Sequence, residues 1–295
     1  MTGVQTCALP ICLDYINDSA KKLLNESGTE YQENAHENIP ELLAAITKTD
    51  IVVIHWWNHP LLLDLLVRYE LPPCRVAIWS HISGNQPPNI FSVPLLDYPD
   101  LFVFTTPMSY LVDEVANYAD KARLKDIWST GGLDHIRDVV KNEHDSFNIG
   151  YIGTVDYAKM YSNFVDMCAK IDIPNVRFII CGDGSQLEEM KQDVKSRGLD
   201  ERFVFTGFIN NISDYLSTFD IFAYALSSEH YGTCDQALAE AMGCGIVPVV
   251  FDNNMEKYMV SQCGMVVASE DEYISSIMKL YAIMTSFSNT SKTFY

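Results

Sequence analysis

Residues 221–250 constrain the fold more than any other part of the chain. The apolar run Ile221-Phe222-Ala223-Tyr224 leads into a small polar loop, and Ala237, Leu238, Ala241 and Met242 then recur at helical spacing. Gly243-Cys244-Gly245 ends that helix, and residues 246–250 form a charge-free strand of the kind buried in parallel sheets. Thr233 is the expected N-cap, with Gly232 and Thr233 opening the helix. A strand, a glycine-bearing turn and a helix N-terminus in succession make an anion site, because unpaired N–H groups and the positive end of the helix dipole converge there. Glu240, farther along the helix, is expected to project its carboxylate towards the same crevice.

The same alternation extends over the whole second half. Strands are expected at 148–152, 176–181, 203–206, 220–224, 246–250 and 265–267, with a helix between each pair, which implies a doubly wound parallel sheet. The first half carries three apolar runs, at 51–54, 76–79 and 101–104, with 51–54 expected to be buried on both faces and 108–122 to be one helix. Polar tips follow the first two runs: His55, Asn58 and His59 after one, His81 after the other. Side chains at the carboxyl ends of parallel strands line a ligand crevice. Residues 141–147 are charged and lack apolar period, as a linker does. The expected organisation is a partial first domain at 13–140, that linker, and a second domain at 148–295. Gly182-Asp183-Gly184 reads as a tight turn, not a phosphate grip.

The run from Glu240 to Val250 resembles the "Glu-Ala-Met-x-x-Gly-x-Pro-Val-Val" run of family 4 glycosyltransferases. That resemblance implies α/β architecture of GT-B type: two Rossmann-like doubly wound domains facing across a cleft, here with the N-terminal one incomplete. It implies a glycosyltransferase that moves a sugar from a nucleotide-diphosphate-sugar donor to a glycan, lipid-linked or small-molecule acceptor, with retention and without metal or other cofactor. It assigns Glu240 to the ribose, Lys159 and the amides of Gly232, Thr233 and Cys234 to the phosphates, and His81 to the donor sugar as catalytic-site residue. Gly153 and Thr154 stand in the first loop of the second domain, where Thr154 replaces the family's usual Arg. Phe208 and Ile209 stand where the family contacts the base. The family's acid eight residues before Glu240 is here Gly232; Glu229 or Asp235 is the carboxylate nearest that role.

Composition bounds the alternatives. A formal charge of −19 leaves no basic stripe to displace counterions, so nucleic acid is not an expected partner. No apolar run is long enough for a membrane span, and a cytoplasmic place, or a peripheral one at the inner membrane face, is expected. The eight cysteines lack Cys-x-x-Cys spacing and read as reduced thiols. Residues 1–11 match the translation of a common sequencing-adapter oligonucleotide, so residues 1–12 are set aside as a non-native scar and the native chain is expected to begin upstream. The two rival readings are a nucleotide-sugar epimerase of the same fold and a non-catalytic nucleotide-binding or scaffold protein.

Overall fold

The structure is a computed structural model that describes residues 8–128, 132–230 and 232–291. The short strand and turn that the sequence suggests over 127–134 fall partly outside the described residues, at 129–131, as do residues 1–7 of the segment expected to be non-native and residues 292–295. The chain divides into two compact units, residues 1–105 with 110–127, and residues 106–109 with 128–295.

The first unit runs α1 (Asp18–Glu26), α2 (Ile39–Ile46), β1 (Ile51–Trp56), α3 (Pro60–Arg68), β2 (Arg75–Ser80), the small hairpin β3 (Asn85–Gln86) and β4 (Asn89–Ile90), α4 (Val93–Asp97), β5 (Leu101–Phe104), α5 (Asp113–Ala116) and β6 (Leu124–Asp126). Four of these strands form a parallel sheet in the order β1-β2-β5-β6. Ile54, Trp56, Ile78, Phe102 and Phe104 fill its core. Two expectations need correction. β1 is not buried on both faces: Ile51 and Val53 are 58% and 51% exposed, whereas Ile54 and Trp56, on the alternate face, are buried, so only one face of this strand is covered. The helix expected over 108–122 is instead a 3-10 turn at Pro107–Leu111, the short α5 and a second 3-10 turn at Lys121–Arg123. The break falls at Val112, which is extended and serves as N-cap to α5.

The second unit runs β7 (Phe147–Ile152), α6 (Phe164–Lys170), β8 (Val176–Cys181), α7 (Leu187–Ser196), β9 (Phe203–Gly207), α8 (Ser213–Leu216), β10 (Ile221–Tyr224), α9 (Gln236–Gly243), β11 (Val247–Phe251), α10 (Asn254–Val260), β12 (Met265–Val267) and α11 (Glu270–Ser291). Its six strands are all parallel, in the order β12-β11-β10-β7-β8-β9. Charge-free strands suit a sheet covered on both faces: β10 is buried at all four positions, and Ile149, Tyr151, Phe178, Ile180, Val249 and Val250 are at most 1% exposed. Close packing explains Gly150, where a Cβ would stand 2.1 Å from the Phe219 ring. The seven cysteines among the described residues are free; Cys168 and Cys181 are buried, Cys244 is half-buried and Cys263 is exposed.

Candidate functional site

The strand order locates the site before any side chain is considered. From β7 the chain winds outward through β8 and β9 on one side, then returns to start β10 on the other. Loops leaving the carboxyl ends of β7 and β10 therefore diverge and leave a crevice between them, where open α/β sheets bind ligands. Those loops are the stretches after Ile152 and after Tyr224.

Backbone contacts fix both loops. Tyr161 N–H donates to Ala225 O at 3.0 Å, Ser227 N–H donates to Lys159 O at 2.8 Å, and Met160 pairs with Leu226. The turn after β8 supports the first loop from behind: Gly153 N–H donates to Cys181 O and Val155 N–H to Asp183 O, both at 3.0 Å. Gly182 is required for this approach, since a Cβ there would lie 1.8 Å from Gly153 O and its φ is +154°. The Gly182-Asp183-Gly184 turn thus serves loop packing.

Lys159 is half-buried in this crevice, with Nζ 5.7 Å from the centre of the Tyr224 ring. Among the described residues no carboxylate lies within ion-pair distance of it, so its charge is available to an anion. Gly153 spends its N–H on Cys181, while Thr154 is exposed and accepts from Tyr151 Oη at 2.9 Å through its carbonyl.

The helix after β10 starts later than expected. α9 begins at Gln236 with Asp235 in the N-cap position, not Thr233. Asp235 is drawn inward instead, its Oδ1 accepting from Tyr224 Oη at 2.9 Å. Gly232 N–H donates to His230 Nδ1 at 3.1 Å, and Gly232, Thr233 and Cys234 are all half-buried. Glu229 is exposed, its N–H donating to Ser227 Oγ.

Beneath this loop lies a buried charged cluster that reading the sequence had missed. His230 Nε2 stands 3.0 Å from Glu256 Oε1, with side chains 6% and 0% exposed. Asp235 is 2% exposed. Burial first, and then the neighbouring Glu256, push the Asp235 carboxyl up to about 7. Burial also acts to raise Glu256, but His230 and Asp235 together outweigh it and hold Glu256 below its ordinary value. Burial opposes charge on His230, yet Glu256 and Asp235 overcome this and raise its pKa; Lys159 acts against them. Asp235 Oδ2 and both Glu256 oxygens lack a well-aligned N–H or O–H donor. The signal in the sequence was slight: a His and a Glu 26 positions apart, brought together by the sheet.

Glu240 is also buried, at 7% exposure. Its Oε1 accepts from His135 Nε2 at 2.9 Å and from Gln236 Nε2 at 2.9 Å. Gln236 Nε2 also donates to Gly132 O at 3.2 Å. His135 sits on a 3-10 turn, Asp134–Ile136, that precedes β7, and it too escaped sequence reasoning. Phe208 is 76% exposed just past β9, and Ile209 packs against the core beside it.

In the first unit the tips of β1 and β2 build a separate arrangement. His81 stacks on Trp57 with ring centres 4.6 Å apart and on His55 at 5.1 Å, and Trp79 stacks on His55 at 5.8 Å. His55 Nδ1 and His81 Nε2 are 2.8 Å apart and share one hydrogen. Burial, and then the charge of His55, lower the pKa of His81. His59 caps α3 by accepting from Leu61 N–H, and Asn58 Nδ2 donates to Pro88 O.

No cluster of three or more metal-ligating side chains occurs among the described residues, and no helix among them is long and apolar enough to cross a membrane. Comparison with known proteins agrees with the architecture. The structure superposes on Anabaena HepE in complex with UDP and glucose with a TM-score of 0.72 and 15% identity, covering 94% of this chain and 82% of that one. A glycosyltransferase of Rickettsia africae gives 0.73 at 11% identity, covering 94% and 80%. Both show the fold, two Rossmann-like α/β units of GT-B type. In sequence, 108 residues are 33% identical to a 2-deoxystreptamine N-acetyl-D-glucosaminyltransferase of Niallia circulans, 35% of this chain and 27% of that protein. A Streptomyces fradiae protein of the same name matches at 33% over 103 residues, 33% of this chain and 24% of that protein. The chain thus spans about a quarter of the length of the curated relatives it matches. The profile of one family, glycosyl transferases group 1, matches residues 134–283, from the turn that carries His135 through the crevice to α11, and the chain belongs to that family.

Proposed function

We propose that the protein transfers a sugar from a nucleotide-diphosphate-sugar donor to an acceptor, with the donor's nucleotide held by the second unit. The observation that carries this is the placement of Lys159 and Glu240 on the elements that follow β7 and β10, at the switch point of a sheet in dinucleotide-binding order. Lys159 meets the diphosphate, Glu240 the ribose hydroxyls, and the N–H groups of Thr233 and Cys234 the developing leaving-group charge, since the Gly232 N–H is engaged by His230 Nδ1. Such a transfer needs a stabilised leaving diphosphate more than a strong base. Lys159 and backbone donors suffice for that, so the reaction is proposed to proceed without a metal. Phe208, exposed on the loop after β9, offers a face for the base, with Ile209 behind it. His81 is proposed to contact the donor sugar during transfer.

The relatives' names point to the first probes. Two are named for 2-deoxystreptamine and N-acetyl-D-glucosamine, and the Anabaena neighbour holds UDP with glucose. UDP-N-acetylglucosamine is therefore the first donor to try, and an aminocyclitol the first acceptor. A net charge of −19 favours capture of a cationic amine over an anionic acceptor.

Thermal unfolding with UDP, GDP, ADP and CMP in turn tests the donor site. A nucleotide at about one hundred times its Kd stabilises by roughly 2.7 kcal/mol. One nucleotide is expected to raise the Tm of the wild type and not that of Glu240→Ala. Equal shifts in both proteins would remove Glu240 from the site.

A further inference from the structure

Glu240 is held by a device that the family resemblance did not supply. Both of its hydrogen bonds among the described residues fall on Oε1, one from His135 Nε2 and one from Gln236 Nε2, each at 2.9 Å. A carboxylate oxygen has two acceptor positions, so two N–H donors saturate Oε1 and leave Oε2 as the oxygen able to accept another hydroxyl. The donors come from different directions. Gln236 lies four residues before Glu240 on α9, one turn away on the same helix face. His135 comes from the turn that precedes β7, 105 positions earlier.

That turn is anchored at His135 itself and at the residue that follows it. Ser213 Oγ donates to the His135 carbonyl at 3.2 Å, and Ile136, 4% exposed, enters the main core and touches the position where Gly243 carries no side chain. The imidazole is thus delivered to Glu240 by rigid surroundings, although about half of its own side chain is exposed. A loosely held carboxylate would have to order itself on binding, whereas this one is oriented beforehand.

We infer that His135, with Gln236, is a positioning residue for Glu240, fixing the carboxylate so that Oε2 accepts a ribose hydroxyl and making the site selective for a ribonucleotide over its deoxy counterpart. The inference rests on the proposal that Glu240 meets the ribose. His135 touches the carboxylate and not the nucleotide, so its effect lies in discrimination between sugars of the nucleotide rather than in affinity for phosphate.

The test is calorimetric binding of UDP and 2′-deoxy-UDP to the full chain, with Tm recorded for each variant. The wild type is expected to prefer UDP by about tenfold or more, the usual worth of a hydrogen bond to a charged group. His135→Ala should bring the preference within about threefold while 2′-deoxy-UDP binds nearly as before, and His135→Gln, whose amide nitrogen stands in for Nε2, should restore it. Gln236→Ala should lower the preference in the same direction and serves if His135→Ala fails to fold. An unchanged preference in His135→Ala, with the preference lost in Glu240→Gln, overturns the role of His135 and leaves the donor site intact. A preference that survives Glu240→Gln, or a wild type that binds both nucleotides equally, overturns the ribose assignment and this inference with it.

Discussion

Two histidines, the half-buried His81 at the tip of β2 in the first unit and the buried His230 in the loop after β10 in the second, are pushed in opposite directions. His81 sits among aromatic rings with His55 as its polar partner, and its pKa is lowered by burial and then by that neighbour. His230 is buried as well, but Glu256 and Asp235 stand beside it and its pKa rises. Residue type is the same and burial is similar in kind; the sign is decided by whether a carboxylate shares the enclosure. One unit thus keeps a neutral imidazole at its strand tips, suited to hydrogen bonding with a sugar. The other keeps an imidazole and two carboxyl groups together beneath a loop proposed to receive an anion.

The contrast is broken most severely at Glu256. Removing one partner from a buried charged pair leaves the others uncompensated, and Glu256→Ala is expected to destabilise the second unit by about 3–5 kcal/mol. Denaturant unfolding checks this, and a loss under about 1 kcal/mol would mean that the cluster is solvated in solution. Next in size is His81→Ala. If the neutral imidazole contacts the transferring sugar, turnover of nucleotide-sugar should fall by about a hundredfold, with little change in Tm. A drop in Tm with turnover per folded molecule preserved would make the aromatic stack purely structural.

The smallest effect sharpens the comparison through pH. Asp235 titrates at about 7 in the folded protein against an ordinary 3.8, so the folded state holds an extra proton between those values and loses stability as pH rises through that window. His230, raised above 6.5, contributes stability that is present in acid and lost as pH rises through its folded value. Glu256, lowered below 4.5, contributes in the other sense, and only where the solution is acid enough to protonate it. The second unit should therefore melt several degrees lower at pH 8 than at pH 6. Asp235→Asn, a neutral mimic of the protonated acid, should flatten most of that slope. His81, being lowered, costs stability only as pH falls below 6.5, so scans at acid pH separate the two histidines.

Much of this was legible in the chain. Charge-free runs of strand length alternating with helical spacing placed the strands of the second unit within about a residue of where they lie, because such strands must be buried on both faces and little else satisfies their backbone. The Glu240 run marked helix, turn and strand correctly, and with them the family. The same reasoning misjudged β1, whose apolar composition says nothing about whether another layer covers its second face. It also placed the start of α9 too early, since Thr233 is a good cap locally but Asp235 is bound from within by Tyr224.

The local pattern of residues, then, determined the strands, the helices and the order in which they alternate, since apolar period and glycine punctuation act over a few residues. Only the tertiary structure decided which polar groups share an enclosure. His135 reaches Glu240 across 105 positions because β10 docks beside β7 and not beside β9, and His230 meets Glu256 across 26 because β11 docks beside β10. Electrostatics depends on distance in space and on exclusion of water, and neither of these is a property of sequence spacing.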